Sequence, residues 1–152
     1  AAQRAKDQGY DQVLWLDIHH QGIEEVGTMN VFWVFKNEIV TPELNGSILA
    51  GGMRDSVIQL LSKEGVQVVE RRITIEEVLK RHDQGELTEA FGTGTAAVIS
   101  PIGELAYGGK THVLNQNMTG PLSQRLYEKI RAIQTGAGTD ELKWIVNLKE
   151  LQ

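Results

Sequence analysis

The stretch Glu24-Glu25-Val26-Gly27-Thr28-Met29-Asn30, continuing into Val31-Phe32-Trp33-Val34-Phe35-Lys36, sets the frame for the rest of the chain. Its second half is rich in β-branched and aromatic residues, which suit a pleated surface, so Met29 to Lys36 is expected to be a strand. Asn37-Glu38 turns it into Ile39-Val40-Thr41, a hairpin, and Pro42 with Asn45-Gly46 marks the loop that follows. The two carboxylates lie just ahead of the apolar run. Alternation along an extended chain puts Glu24 and Glu25 on opposite faces, so that one can be buried and the other solvated.

Upstream, Ala1 to Lys6 reads as the end of a helix with no N-cap, stopped by Gly9, so the chain is expected to start inside an element. Gln12 to Asp17 is an apolar run of strand length. Downstream, Val57, Leu60 and Leu61 at helical spacing predict a helix from Met53 to Lys63, closed by Gly65. Val66 to Ile73 alternates as a strand does. Thr74 is placed to N-cap the next helix, with Glu77 three residues on. Leu87 to Phe91 reads as one further helical turn, and Ala96 to Ser100 as a buried strand ended by Pro101. Tyr107 to Leu114, broken by Gly108-Gly109, reads as a strand or hairpin. Pro121 opens a helix whose stripe is Leu122, Leu126, Ile130 and Ile133. Trp144-Ile145-Val146 is a last strand candidate. This mixture lacks the regular alternation of a doubly wound sheet, so the expected class is α+β, in a single domain over residues 1–152.

A chain of 152 residues can bury a core of its own. A net charge of -5 without clustered basic residues argues against a nucleic-acid footprint. Arg71-Arg72, beside Glu70, reads as a solvated strand face. There is no cysteine, hence no disulfide framework and no thiolate metal site, which suits a reducing compartment. No apolar run reaches membrane-spanning length. His19 and His20 are adjacent, with no further ligand at suitable spacing, so they suit a loop and no metal is expected.

Three segments could carry chemistry. Glu24-Glu25 is either an exposed pair at a strand end or the source of one inward carboxylate for a cationic nitrogen; a protonated pyridine ring needs such a partner. Gly92-Thr93-Gly94-Thr95-Ala96-Ala97 is either a flexible turn or a nest of N–H groups and threonine hydroxyls for an anion. Leu49-Ala50-Gly51-Gly52-Met53-Arg54 is either plain helix initiation or a helix N-terminus that holds an anion.

The segment Glu25-Val26-Gly27-Thr28-Met29-Asn30 resembles the branched-chain aminotransferase version of a motif shared by the fold type IV pyridoxal phosphate enzymes. Further matches run through Gln12 to Asp17, Thr41-Pro42, Gly46-Ser47-Ile48-Leu49, Glu70-Arg71-Arg72, Glu89 to Pro101, Tyr127 and Ile133-Gln134. The resemblance implies the large, carboxy-terminal domain of that fold, with a β-barrel-like core and flanking helices. It implies pyridoxal 5'-phosphate as cofactor, with Glu25 at the pyridine nitrogen and Gly52, Met53 and Thr95 at the phosphate. Ala96 and Ala97 would offer N–H groups to the substrate carboxylate, and Thr28 would line the pocket. The implied reaction moves an amino group between leucine, isoleucine or valine and 2-oxoglutarate, in a cytoplasmic homodimer or higher homo-oligomer.

The pattern is departed from at Ala50, where the family has proline, and at Gly52 and Met53, where it has a bulky aliphatic residue and threonine. Loss of that hydroxyl is expected to weaken phosphate binding by about 1 kcal/mol. Ala97 and Ser100 stand where the mammalian enzymes carry a cysteine redox pair. The family's Schiff-base lysine, with its phosphate-binding arginine and small amino-terminal domain, is expected before Ala1, so this chain alone is expected to be inactive. The alternatives are a D-amino acid transaminase or aminodeoxychorismate lyase relative, or a non-catalytic domain that keeps the fold.

Overall fold

The structure, a computed structural model, describes residues 1–146. A short helix α1 (Ala2–Asp7) leads into β1 (Leu14–Leu16), β2 (Ile23–Val26), β3 (Met29–Phe35) and β4 (Ile39–Thr41). Helix α2 (Gly52–Lys63) crosses to β5 (Val68–Glu70), followed by α3 (Ile75–Asp83), β6 (Leu87–Gly94) and β7 (Val98–Pro101). The hairpin β8 (Glu104–Tyr107) and β9 (Lys110–Val113) precedes a 3-10 turn and α4 (Pro121–Gln134).

Seven strands form one sheet, β1-β2-β3-β4-β5, with β6 on the other edge of β3 and β7 beyond it. β3 is the hub: β2 and β4 share one of its edges, β6 runs along the whole of the other, and all three are antiparallel to it. The pair β4 and β5 is parallel, joined by the α2 crossover. β8 and β9 pair only with each other. The mixed α+β class is therefore as expected, with flanking helices, but the sheet stays open rather than closing as a barrel.

The alternation of β3 explains the two cores. Val31, Trp33 and Phe35 face one side, with Ile23, Val26, Ile73, Ile75 and Val78. Phe32 and Val34 face the other, where α2 supplies Val57, Leu60 and Leu61 and α4 supplies Leu126, Ile130 and Ile133. Phe32 stacks on its register partner Phe91 at 5.1 Å. All residues of β3 after Met29 are buried, so the strand reads as a continuous apolar run because helix or loop covers both faces.

Three expectations fail. Leu87 to Phe91 is not helical: it forms most of β6, and pairing along all of β3 overrides the local helix preference of Leu-Thr-Glu-Ala. Consequently the Gly92–Ala97 segment ends a strand rather than following a helix. Trp144 to Val146 is irregular rather than a strand. Glu24 and Glu25 do not take opposite faces, because β1 pairs Trp15 with Glu25 but Leu16 with Ile23, which leaves Glu24 as the extra residue of a β-bulge. Both carboxylates are half-buried and reach the same loop. The other elements are present, with Thr74 Oγ1 accepting from the Glu77 N–H at 3.1 Å and Pro121 opening α4. The strand expected over Ala96 to Ser100 is instead Val98–Pro101, with Ala96 and Ala97 in the turn before it, and that expected over Val66 to Ile73 is confined to Val68–Glu70. Of the expected single domain, residues 147–152 lie outside the described part.

Candidate functional site

The register sets the site. Trp15, Glu25, Asn30, Thr93 and Ile99 are Cα partners in sequence across β1, β2, β3, β6 and β7. Directly paired residues share a face, so Glu25, Asn30 and Thr93 form a polar row on the α2 side, spanning two strand spacings or ~10 Å. The loop before α2 lies on this row. The Leu49 N–H donates to Glu25 Oε1 at 3.0 Å, Asn30 Nδ2 donates to the Leu49 carbonyl at 2.8 Å, and the Ser47 hydroxyl donates to Glu24. A Cβ on Gly51 would stand 2.2 Å from Asn30 Oδ1, so only glycine lets the chain pass this close.

That loop delivers the N-terminus of α2. Gly51 is its N-cap and makes no side-chain cap bond; the first helical donor is the Asp55 N–H, to the Gly51 carbonyl. The N–H groups of Gly52, Met53 and Arg54 have no partner among the described residues. Beside the row, β6 turns into β7 through Thr95-Ala96-Ala97, of which Thr95 and Ala96 are exposed. None of these three N–H groups donates to a backbone carbonyl in the turn. The turn ends on Val98 at φ 61, a left-handed conformation that costs a β-branched residue about 1–3 kcal/mol. Val98 is only 4% exposed, so core packing holds the strain.

The Gly27-Thr28 turn between β2 and β3 is the neighbour of this one. Gly27 has φ 59, as the first position of a two-residue hairpin requires, and its carbonyl accepts from Trp15 Nε1 at 2.8 Å. Cβ atoms on Gly92 and Gly94 would each come within about 3 Å of Met29. The two glycines thus seat the end of β6 against Met29 at the start of β3, one residue after exposed Thr28.

These groups match the donor chemistry of a ligand with an anion at one end and a cationic nitrogen at the other. Glu25 Oε2 has no partner among the described residues, and Thr93 Oγ1 is buried and unpartnered. The free N–H groups at the start of α2 and the exposed Thr95 hydroxyl are donors of the kind that hold a phosphate, and the β6–β7 turn offers a second set for another anion. Sequence reading singled out Glu25, Thr28, Gly52, Met53, Thr95, Ala96 and Ala97, and these lie at one end of the sheet. It named Asn30, Thr93 and Gly51 only as members of the same segments, without a role; register with Glu25 gives the first two theirs, and the close approach of the loop to Asn30 gives Gly51 its own.

A sizeable cavity lies elsewhere. About 580 Å³ opens on the opposite face, lined by Val26, Met29, Trp33, Ile75 and β8 residues, with none of the expected site residues in its wall. We place the site at the polar row because unsatisfied donors and acceptors converge there. On the flank, Asp17 accepts from the Gln21 N–H and from Arg72 and His19, in that order of effect for the first two, which holds its carboxyl at about 2. Burial pushes the Glu38 carboxyl up, but hydrogen bonds and charge from Arg81 and Arg71 outweigh it and leave the group below its usual range. Arg71 is therefore paired, to Glu77 and Glu38, rather than a freely solvated cation.

The chain is similar to known proteins in sequence and fold. The sequence profile of the family described as amino-transferase class IV matches residues 1–105. The branched-chain-amino-acid aminotransferase 2 of Bacillus subtilis (strain 168) is 53% identical over 152 residues, 99% of this chain and 42% of that protein. The solved branched-chain aminotransferase of Thermoproteus uzoniensis with norvaline superposes with a TM-score of 0.78 at 33% identity, covering 96% of this chain and 44% of that one. The enzyme of Thermobaculum terrenum in its PLP form superposes at 0.76 with 30% identity, covering 90% and 41%. The chain belongs to the class IV aminotransferases, with the fold of the branched-chain enzymes, and it spans about 42% of the length of such curated relatives.

Proposed function

We propose that this chain is the cofactor-phosphate and ring-nitrogen part of a branched-chain amino acid transaminase that uses pyridoxal 5'-phosphate and 2-oxoglutarate. The observation that carries this is the polar row: a half-buried Glu25 with one oxygen free, in register with Asn30 and Thr93, under the open N-terminus of α2. When bound there, the cofactor supplies an electron sink for bond breaking at the amino acid's α-carbon.

The chain's own groups have distinct tasks. The Leu49 N–H orients Glu25, whose free oxygen keeps a proton on the ring nitrogen. Asn30 fixes the Leu49 loop, and so the position of α2. The N–H groups of Gly52 and Met53, with Thr95, neutralise the phosphate. Ala96 and Ala97 offer N–H groups to the substrate carboxylate, and Thr28 borders the side-chain pocket. None of the lysines among the described residues belongs to the row or its loop. The reading therefore assigns the covalent lysine to residues outside this chain, in a domain that joins residues 1–152. It further takes the enzyme to be a cytoplasmic homodimer or higher homo-oligomer; no helix among the described residues is long and apolar enough to cross a membrane.

The test is an absorption spectrum of the chain with added pyridoxal phosphate, followed by leucine. Bound cofactor with absorbance unchanged by leucine is expected for the chain alone. Binding should weaken in Glu25→Gln and in Thr95→Val. Absence of binding, or binding indifferent to both substitutions, would overturn the assignment.

A further inference from the structure

Away from the polar row, α3 ends at His82-Asp83, and β9 carries His112 on the neighbouring hairpin. The two imidazoles meet edge-on, with centroids 5.4 Å apart at 90°. His82 Nε2 lies 2.9 Å from the Val113 carbonyl oxygen. A carbonyl only accepts, so this nitrogen carries the hydrogen, and in the neutral ring Nδ1 is then a bare lone pair. That lone pair faces Asp83 Oδ1 at 3.4 Å. His112 is close by: one ligand atom from each of His82, Asp83 and His112 lies within 4.8 Å of the other two.

Two acceptors that face each other repel unless positive charge sits between them. A proton on Nδ1 would satisfy that pair but makes no use of the His112 nitrogen. A metal ion uses all three. We infer that His82 Nδ1, His112 and Asp83 form a binding site for a divalent transition-metal ion, with Zn2+ the best match. Two imidazoles and a carboxylate are the donor set of a borderline ion; calcium and magnesium favour oxygen alone. Three protein ligands leave one position of a tetrahedron for water, which suits a half-exposed site. The Val113 carbonyl is the outer partner that fixes the tautomer and aims the ring.

The position gives the ion a task. Among the described residues the β8–β9 hairpin pairs with no other strand, and Glu104, Leu105, Ala106 and Tyr107 of β8 form part of the wall of the 580 Å³ cavity. An ion bridging His82 to His112 ties the hairpin to α3 and so fixes that wall.

Calorimetric titration of Zn2+ into the full chain, stripped of metal, tests this. One ion per chain should bind and raise the unfolding temperature. His112→Ala, which loses no hydrogen bond, and Asp83→Asn, at an exposed position, should each lower the affinity by about tenfold or more. His112→Ala should also abolish the temperature rise. If His112→Ala fails to fold, Asp83→Asn decides. No saturable binding, or binding equally tight in the variants, as expected if His19 and His20 held the ion, would overturn the proposal.

Discussion

At the start of α4, Pro121 has no N–H, and the N–H groups of Leu122 and Ser123 both donate to Glu89, at 3.0 and 2.9 Å, with the Ser123 hydroxyl at 2.6 Å. At the start of α2, Gly51 offers no side chain, and the N–H groups of Gly52, Met53 and Arg54 stand free among the described residues. Both helices flank the same core and face the same electrostatic demand, since a helix N-terminus favours negative charge. One demand is met from within by a carboxylate only 4% exposed. The other is left for something from outside. An uncapped N-terminus beside a glycine-lined approach therefore points to a ligand more clearly than any single side chain does.

The closed end gives the largest expected effect. Glu89→Ala should destabilise the fold by about 3 kcal/mol or more, because it strands two buried donors of Ser123 and the half-buried Leu122 N–H at once; the shift in urea midpoint measures it. A loss below 1 kcal/mol would mean that α4 does not depend on this cap. Next, Gly51→Ala should cost about 1–3 kcal/mol, since its Cβ must displace Asn30 and the bond that holds the Leu49 loop. Wild-type stability together with unchanged cofactor affinity would show that the α2 approach has slack.

A milder pair probes the open end directly. Met53→Thr should tighten cofactor binding by about 1 kcal/mol, roughly fivefold, by restoring a hydroxyl, and Thr95→Val should weaken it by a similar amount. Thr95→Val, at an exposed position, should leave the urea midpoint nearly unchanged, whereas Met53→Thr should lower it modestly because Met53 packs against the core. Equal affinities across the pair would confine phosphate binding to backbone donors. The smallest effect is at Asp17, on the flank of the row. Its folded value of about 2 lies below the ordinary 3.8, so its contribution is complete above the ordinary value and fades as pH falls towards 2. Asp17→Asn should therefore be less stable than wild type at neutral pH, with the gap closing below about pH 2 in urea midpoints recorded against pH.

Much of this was legible in the residues. The β3–β4 hairpin, α2, the Thr74 cap and α4 follow from local signals that the fold does not override. The candidate site residues could be proposed only through motif likeness, because Glu25, Gly52 and Thr95 lie far apart in sequence, in a strand, a helix and a turn. What stayed hidden was non-local. Leu87 to Gly94 takes its strand conformation from β3, some way back in the chain, and the bulge that turns Glu24 to the side of Glu25 depends on how β1 pairs. Glu89 looked like any glutamate in a helical turn until α4 arrived to bury it. His112 gained its neighbour only when the last hairpin settled beside α3.

The pairing of β3 with β6 also sets a timetable for synthesis. At about 5–20 residues per second, Leu87 to Gly94 leaves the ribosome on the order of several seconds after Met29 to Phe35. Until then Val31-Phe32-Trp33-Val34-Phe35 lacks its longest partner, and closing so long a loop is slow in any refolding chain. Nascent chains halted before Leu87 should accordingly engage holdase chaperones through this segment, and chains halted well past Gly94 should release them. The strand that organises the finished sheet is then the one most exposed to misassembly while the protein is being made.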